Sequence, residues 1–287
     1  TVKDGQRRYF MEEKFGPKGN LMPRDVVSRE EYHVIRKWGT PIYLDTTVIP
    51  KELFRTSLTG FVDDCREYFH VDPETTPIPV LYGIHYFMGG VYVDPHHRTN
   101  LRGLYSAGEN ACQYHGANRL GGNSLLGAFF GGLVVAESII ADGGEEKAEN
   151  LQIEDIDITP FLAPYLKKES RPGAHAETVT EFQKIMQQTL AISRDEETLT
   201  AGLAELEALE KRWHKVYDPF AAFDENILLE HRFVLAKAMI LAARERKESR
   251  GAHNRSDYPE RNEAYEKTHL YEFTDGQIRL SWKKENE

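Results

Sequence analysis

The sequence predicts an α+β chain of several domains, and three observations carry that expectation. Short alternating runs are confined to the first half. Three long stretches with apolar residues at three- and four-residue intervals fill the second half. A length of 287 residues is enough for two domains or three small ones. The expected divisions are residues 1–80, 81–147, 148–250 and a tail over 251–287.

In chain order, "MPRDVVSREEYHVIRKWG" predicts a helix that starts near Asp25, a good N-cap residue, and stops at Gly39. "TPIYLDTTVI" alternates apolar and polar residues as a strand does. "PKELFRTSLTGFVDDCREYF" returns to helical spacing. "VDPETTPIPV" carries three prolines and reads as a crossing segment between domains. From residue 81 the chain is expected to be β-rich and then helical. "GVYVD" and "GLYSAGE" read as strands, with "PHHRTNLRG" as a turn between them. A helix is expected from about Ser124 to the "DGG" at 142–144. Its apolar stretch, 125–140, falls short of the ~20 residues of a membrane span and predicts a buried helix of a soluble domain. "TVTEFQKIMQQTLAI", "DEETLTAGLAELEALEKRWHKV" and "NILLEHRFVLAKAMILAARERKESR" predict three antiparallel helices in a bundle. The polar tail holds one expected strand, "QIRLSW".

A formal charge of −10 argues against nucleic acid as a main partner. Two cysteines, Cys65 and Cys112, give neither a disulfide framework nor zinc-like spacing, and fit a reducing, cytosolic setting. The chain opens "TVKDGQRRYF", with no initiator Met and no basic-then-apolar leader, and reads as a processed chain or a piece of a longer one.

The densest chemistry lies in "GANRLGGNSLLGAFFGG", residues 116–132, where six of 17 residues are Gly. Gly is costly in entropy, so a cluster fits a close approach to the backbone, and a helix start aimed at an anion is one such use. Arg119 stands there among small and apolar neighbours. A guanidinium in that setting wants an anionic partner, either a structural Asp or a bound carboxylate. His85 in "GIHYFMGG" is either a structural histidine at a strand end or a donor to a carboxylate. Arg24 precedes a helix and reads first as an ion-pair partner of a neighbouring acid. Glu109 in "YSAGEN" is either a solvated loop acid or an acceptor for a ribose diol at a strand end. His96, His97 and His115 lie nearby, and "DPHHR" reads as a solvated turn. HExxH, CxxC, GxSxG and GxGxxG patterns are all missing, so metalloprotease and serine hydrolase readings have no support and no metal site is expected.

Together these stretches resemble the flavoprotein subunit of the succinate dehydrogenase and fumarate reductase family. "RDVVSR", "DPETTPIPV", "HYFMGG", "GLYSAGENAC", "HGANRLGGNSLL" and "ESRGAHNRSDYP" occur in the family's order and at about its spacing, from residue 24 to residue 259. The resemblance implies an FAD cofactor and hydride transfer between the flavin and fumarate or succinate. By the same resemblance, His85 and Arg119 match the clamps on the substrate carboxylates. Arg24 matches the arginine that passes a proton to or from the substrate carbon. Glu109 matches an acid on the FAD ribose. Asn123, Ser124 and Leu125 match the helix start at the flavin pyrimidine edge. An iron–sulfur subunit of a respiratory complex is the implied partner. The implied location is cytoplasmic, or peripheral on the inner face of the cytoplasmic membrane, with membrane contact only through partner subunits.

The family's N-terminal GxGxxG fingerprint, its flavin-attaching His region and its "TE"-type substrate loop have no counterpart here. The chain therefore matches a C-terminal portion: part of a capping domain, the returning part of a Rossmann-like FAD domain, then the helices and tail. Alone it is expected to bind FAD weakly or not at all. Gly127 also stands where the family commonly has an acid. Met88 in "HYFMGG" favours the succinate/fumarate branch over L-aspartate oxidase. That enzyme or another dicarboxylate oxidoreductase of the same family, and a non-catalytic piece docking on an iron–sulfur subunit, are the alternatives.

Overall fold

The computed structural model of the chain describes residues 2–3, 6–143 and 157–283. These fall into two units, Thr1–His85 and Tyr86–Glu287. The division expected at 147–148 lies outside the described residues.

In the first unit, β1 (Val2–Lys3) pairs antiparallel with β2 (Gln6–Arg7). The elements α1 (Phe10–Phe15), α2 (Arg24–Trp38), β3 (Ile42–Leu44), α3 (Lys51–Thr56), α4 (Thr59–Tyr68) and β4 (Ile78–Val80) follow. Helix α2 stops where its sequence says: Gly39 takes a left-handed φ of 63°, and its N–H bonds to the Ile35 carbonyl at 2.8 Å. Its start differs slightly. Pro23 takes the N-cap position, and Asp25 sits in the first turn, where its carboxylate accepts from Arg29 Nη2 at 3.4 Å. The strand expected over 40–49 contracts to β3, antiparallel to β4 with Ile42 opposite Val80. The single helix expected over 50–69 is two helices. The N–H groups of Ser57 and Leu58 both turn to the Leu53 carbonyl, at 2.9 and 3.0 Å, which closes α3 and frees α4 to begin. Met11, Ile42, Phe54, Val62, Cys65 and Ile78 form the buried interior. Thr46 is buried with them, its hydroxyl satisfied by the Pro73 carbonyl at 2.6 Å.

The second unit opens irregularly. The expected strands "GVYVD" and "GLYSAGE" are reduced to single bridges, Val91 with Ala111 and Arg98 with Tyr105. The segment between them is held as a turn: Asp94 Oδ1 accepts from the His96 and Arg98 N–H groups at 2.8 and 2.9 Å. His97 is not solvated. It is buried with φ 61°, its ring Nδ1 donating to the Ser106 carbonyl at 2.7 Å and the Tyr114 hydroxyl 3.3 Å from its Nε2.

Helix α5 (Asn123–Ala141) lies on this segment through its glycines. A Cβ at Gly131 would overlap the Tyr114 hydroxyl, and one at Gly108 would meet Ala128 at 3.5 Å. Only that small-residue face is covered. Gly127, Gly131 and Ser138 are buried, while Leu126, Phe129 and Ile140 are 67%, 77% and 78% exposed. Within this chain, then, the helix expected to be buried is covered on that face alone. With 19 residues and a mean hydropathy of 1.9, α5 is also long and apolar enough to cross a membrane by length and composition.

The remainder is helical. After α6 (Thr159–Leu166), β5 (Glu169–Ser170) pairs in parallel with β6 (Val216–Tyr217). Helices α7 (Ala174–Thr189), α8 (Glu196–Trp213) and α9 (Phe223–Glu245) share one core of Ile185, Leu199, Leu206, Trp213, Phe233 and Ile240. Asp195 caps α8, accepting from the Thr198 N–H at 2.8 Å. The tail ends in a hairpin rather than one strand. In it, β7 (Thr268–Thr274) pairs antiparallel with β8 (Gln277–Lys283) across Asp275 and Gly276, both at positive φ.

Candidate functional site

Residues 115–122 form the loop that leads into α5. Gly116 and Gly122 take φ of 55° and 85°, conformations a Cβ would strain. Arg119 lies on this loop, half-buried. Its Cζ sits 4.9 Å from the centre of the Tyr86 ring, a cation–π arrangement. Its Nη1 donates to the neighbouring Leu120 carbonyl at 3.2 Å, and its Nε is buried with no acceptor. Among the described residues no acidic side chain pairs with Arg119. Of the two partners open to it from sequence, a structural Asp is thereby unsupported.

Tyr86 is fixed in turn. Its hydroxyl lies 3.2 Å from His115 Nε2, and the two rings meet edge to face at 5.2 Å. Burial lowers the His115 pKa and the charge of Arg119 lowers it further, so a neutral imidazole accepts the Tyr86 proton bond. Burial and the nearby Glu109 charge push the Tyr86 phenol up, keeping it a donor. The guanidinium thus rests on a neutral aromatic face with one desolvated N–H still to be satisfied. Such a group costs roughly 1–3 kcal/mol until an acceptor arrives.

Four residues downstream the helix start offers more donors. Gly122 is the N-cap of α5 and provides no side-chain acceptor. The Asn123 N–H bonds back to Leu120 at 3.2 Å. The amides of Ser124 and Leu125 belong to the first turn, which has no intrahelical acceptors and carries the positive end of the helix dipole. Leu125 is 69% exposed, so this end is open. Glu109 sits in a 3-10 turn, Gly108–Asn110, exposed, with Oε1 accepting from the Phe87 N–H at 2.9 Å.

Arg119, Glu109, Asn123, Ser124 and Leu125 therefore belong to one unit. Arg24, exposed as the first residue of α2, and His85, exposed in an irregular segment, belong to the unit Thr1–His85. Tyr86 and His115 were not assigned from sequence. An aromatic ring beside an expected carboxylate clamp, in "HYFMGG", was the available signal. Among the described residues, no group of three or more His, Cys, Asp or Glu is placed to hold a metal ion.

Residues 1–125 match the family model for an FAD binding domain, and residues 179–286 match that for the fumarate reductase flavoprotein C-terminus. The succinate dehydrogenase flavoprotein subunit of Bacillus subtilis is 33% identical over 92% of this chain and 48% of its own length. An L-aspartate oxidase of Rhodospirillum rubrum is 34% identical over 89% of this chain and 84% of its own length. Among solved structures, a quinol-fumarate reductase with menaquinol molecules superposes with a TM-score of 0.77 at 28% identity, over 99% of this chain and 52% of that one. The chain spans about half the length of the first curated relatives it matches.

Proposed function

The chain belongs to the succinate dehydrogenase and fumarate reductase flavoprotein family, and on that premise we propose that it forms part of an FAD-dependent oxidoreductase interconverting fumarate and succinate. The observation that carries the reading is Arg119, a half-buried guanidinium with an orphan Nε and no acidic partner among the described residues. A substrate carboxylate supplies two coplanar acceptors for that fork.

The residues fit the flavin as well as the acid. FAD, when bound, supplies the hydride carrier. The uncapped start of α5 presents the Ser124 and Leu125 amides and a partial positive charge toward an electron-rich ring edge. Gly122, with nothing within 4 Å of a Cβ built on it, would leave room for the ring. Glu109, with one oxygen fixed by Phe87, holds the ribose hydroxyls. Arg119 grips one substrate carboxylate and His85 the other. Holding both ends orients the reacting carbons, and orientation of this kind supplies roughly 7–11 kcal/mol of a barrier. Arg24 moves the proton at the substrate carbon. A guanidinium is a poor proton donor, so this role would need a relay that replaces the proton it gives.

In this reading residues 1–80 are part of a capping domain, 81–147 the returning part of a Rossmann-like FAD domain, 148–250 a three-helix bundle, and 251–287 a tail. The exposed apolar row of α5 is covered by the rest of the flavoprotein fold. An iron–sulfur subunit takes the electrons, and the protein is cytoplasmic or peripheral on the membrane through its partners. The identity to L-aspartate oxidase favours a second reading, oxidation of an amino dicarboxylate. Comparing kcat/KM for succinate and L-aspartate separates the two.

Arg119→Ala in the complete flavoprotein should weaken succinate binding roughly 100-fold, read from the change that succinate makes in flavin absorbance. Arg119→Lys should restore only part, because a point charge cannot replace the fork. Parental succinate affinity in Arg119→Ala would remove Arg119 from the site.

A further inference from the structure

The stretch "ESRGAHNRSDYP" takes no part in the chemistry above, yet it anchors a dense cluster of buried polar bonds. Glu248 is 0% exposed and accepts from Arg246 Nη1 at 2.7 Å, Arg250 Nε at 2.9 Å and the Asn262 N–H at 3.0 Å. Arg255, also 0% exposed, gives two bonds of 2.7 Å to Asp257, one of 3.1 Å to Glu196, and two of 2.9 Å to the Ala243 and Arg244 carbonyls. The turn between these anchors is closed by the Arg250 N–H on the His253 carbonyl at 2.8 Å. Moving the turn would strip buried charges of their partners, so it is stiff.

The tip of this turn presses on the loop that carries Arg119. The Ala252 N–H donates to the Ala117 carbonyl at 3.0 Å. Gly251, at φ 58°, comes so close that a Cβ there would overlap the Ala117 carbonyl oxygen and lie 2.9 Å from Asn118 Cβ. Ala117 is two residues before Arg119.

We propose that Gly251 is a positioning residue for dicarboxylate binding: with the Ala252 N–H it forms a strut that fixes the height of the Arg119 loop. The inference rests on the reading of Arg119 as a carboxylate clamp. A side chain at Gly251 pushes Ala117 away and carries Arg119 with it, and a displacement of about 1 Å at a reacting geometry can cost roughly 100-fold.

The test uses the complete holoenzyme. Gly251→Ala should raise the succinate KM and Kd roughly 10–100-fold, with the flavin spectrum kept and kcat at saturation changed less. Gly276→Ala, at φ 74° with nothing within 4 Å, controls for backbone strain without a collision and should leave succinate binding unchanged. Parental affinity in Gly251→Ala overturns the strut. If that variant yields no holoenzyme, hydrogen exchange on the parent decides. Amides of residues 251–255 should exchange more slowly with succinate bound, since coupling between sites is reciprocal, and unchanged exchange overturns the proposal. Arg119→Ala run alongside separates the failures. Loss of affinity there but not in Gly251→Ala sinks the strut alone, whereas intact affinity in Arg119→Ala sinks the clamp and the strut together.

Discussion

Arg119 and Arg255 belong to the same unit and stand in opposite circumstances. Arg255 is fully buried, and its Nε, Nη1 and Nη2 all have acceptors. Arg119 keeps a buried Nε without one. A chain able to satisfy every nitrogen of one guanidinium leaves the other open on a glycine loop beside an uncapped helix. The difference separates a cation whose bonds are all made within the protein from the one proposed above as a carboxylate clamp.

The largest expected effect tests that separation. Arg255→Ala empties a fully buried site and takes a donor from Asp257, Glu196 and two carbonyls, leaving Asp257 only the Glu196 N–H, and should cost about 3–5 kcal/mol in urea unfolding. Arg119→Ala should leave the unfolding midpoint near parental while succinate affinity falls. Equal stability losses in the two variants would erase the comparison.

Acid sharpens it next. The Glu248 carboxyl is opposed by burial, but hydrogen bonds from Arg250, the Asn262 N–H and Arg246 outweigh that and hold it down to about 2, against an ordinary 4.5. Its stabilisation is complete above pH 4.5 and is lost as pH falls toward 2. Burial pushes His253 down to about 4 from an ordinary 6.5, with Arg194 Nη1 3.3 Å from its Nδ1. Below pH 6.5 the unfolded chain takes up a proton that the folded one refuses, so stability also falls from 6.5 toward 4. Each proton contributes a slope of at most ~1.4 kcal/mol per pH unit. Urea midpoints measured through the acid range should fall in two stages; burial pushes His269 down to about 4 as well, so His253→Gln should shrink the upper stage and leave the part that His269 carries. A flat profile above pH 4.5 contradicts the assignment.

Smaller effects follow away from the two arginines. Asp195→Ala removes the cap of α8 and should cost about 1 kcal/mol. Asp142→Asn should move the urea midpoint least. Asp142 is exposed at the C-terminal end of α5, where the helix dipole disfavours an anion, although Arg98 Nε and the Tyr105 hydroxyl bond it at 2.7 and 2.6 Å. A loss from Asp142→Asn larger than that from Asp195→Ala would reverse this ranking.

The helices α7 to α9 were legible because a 3.6-residue apolar period is a local property that one buried core rewards. Strands were legible only where a partner exists: "TPIYLDTTVI" and "QIRLSW" do hold β3 and β8, each paired along its length. "GVYVD" and "GLYSAGE" alternate well and make single bridges. The turn of the β7–β8 hairpin is readable in Asp275 and Gly276 between two alternating runs, of which "QIRLSW" alone has the look of a strand by itself. In α5 the apolar content was plain, but burial depends on what packs against it, and only its glycine face is covered here. The glycine setting of Arg119 was visible in sequence. The Tyr86 ring beneath it and the Gly251 turn behind it come from distant parts of the chain and leave no periodic trace.

A crystal structure of the complete flavoprotein with a bound C4 dicarboxylate tests the central claim most directly. The account predicts a carboxylate oxygen within hydrogen-bonding distance of Arg119 Nε, with the Tyr86 ring still beneath the guanidinium. A dicarboxylate bound elsewhere, with Arg119 Nε turned to an acid of the protein itself, would contradict it.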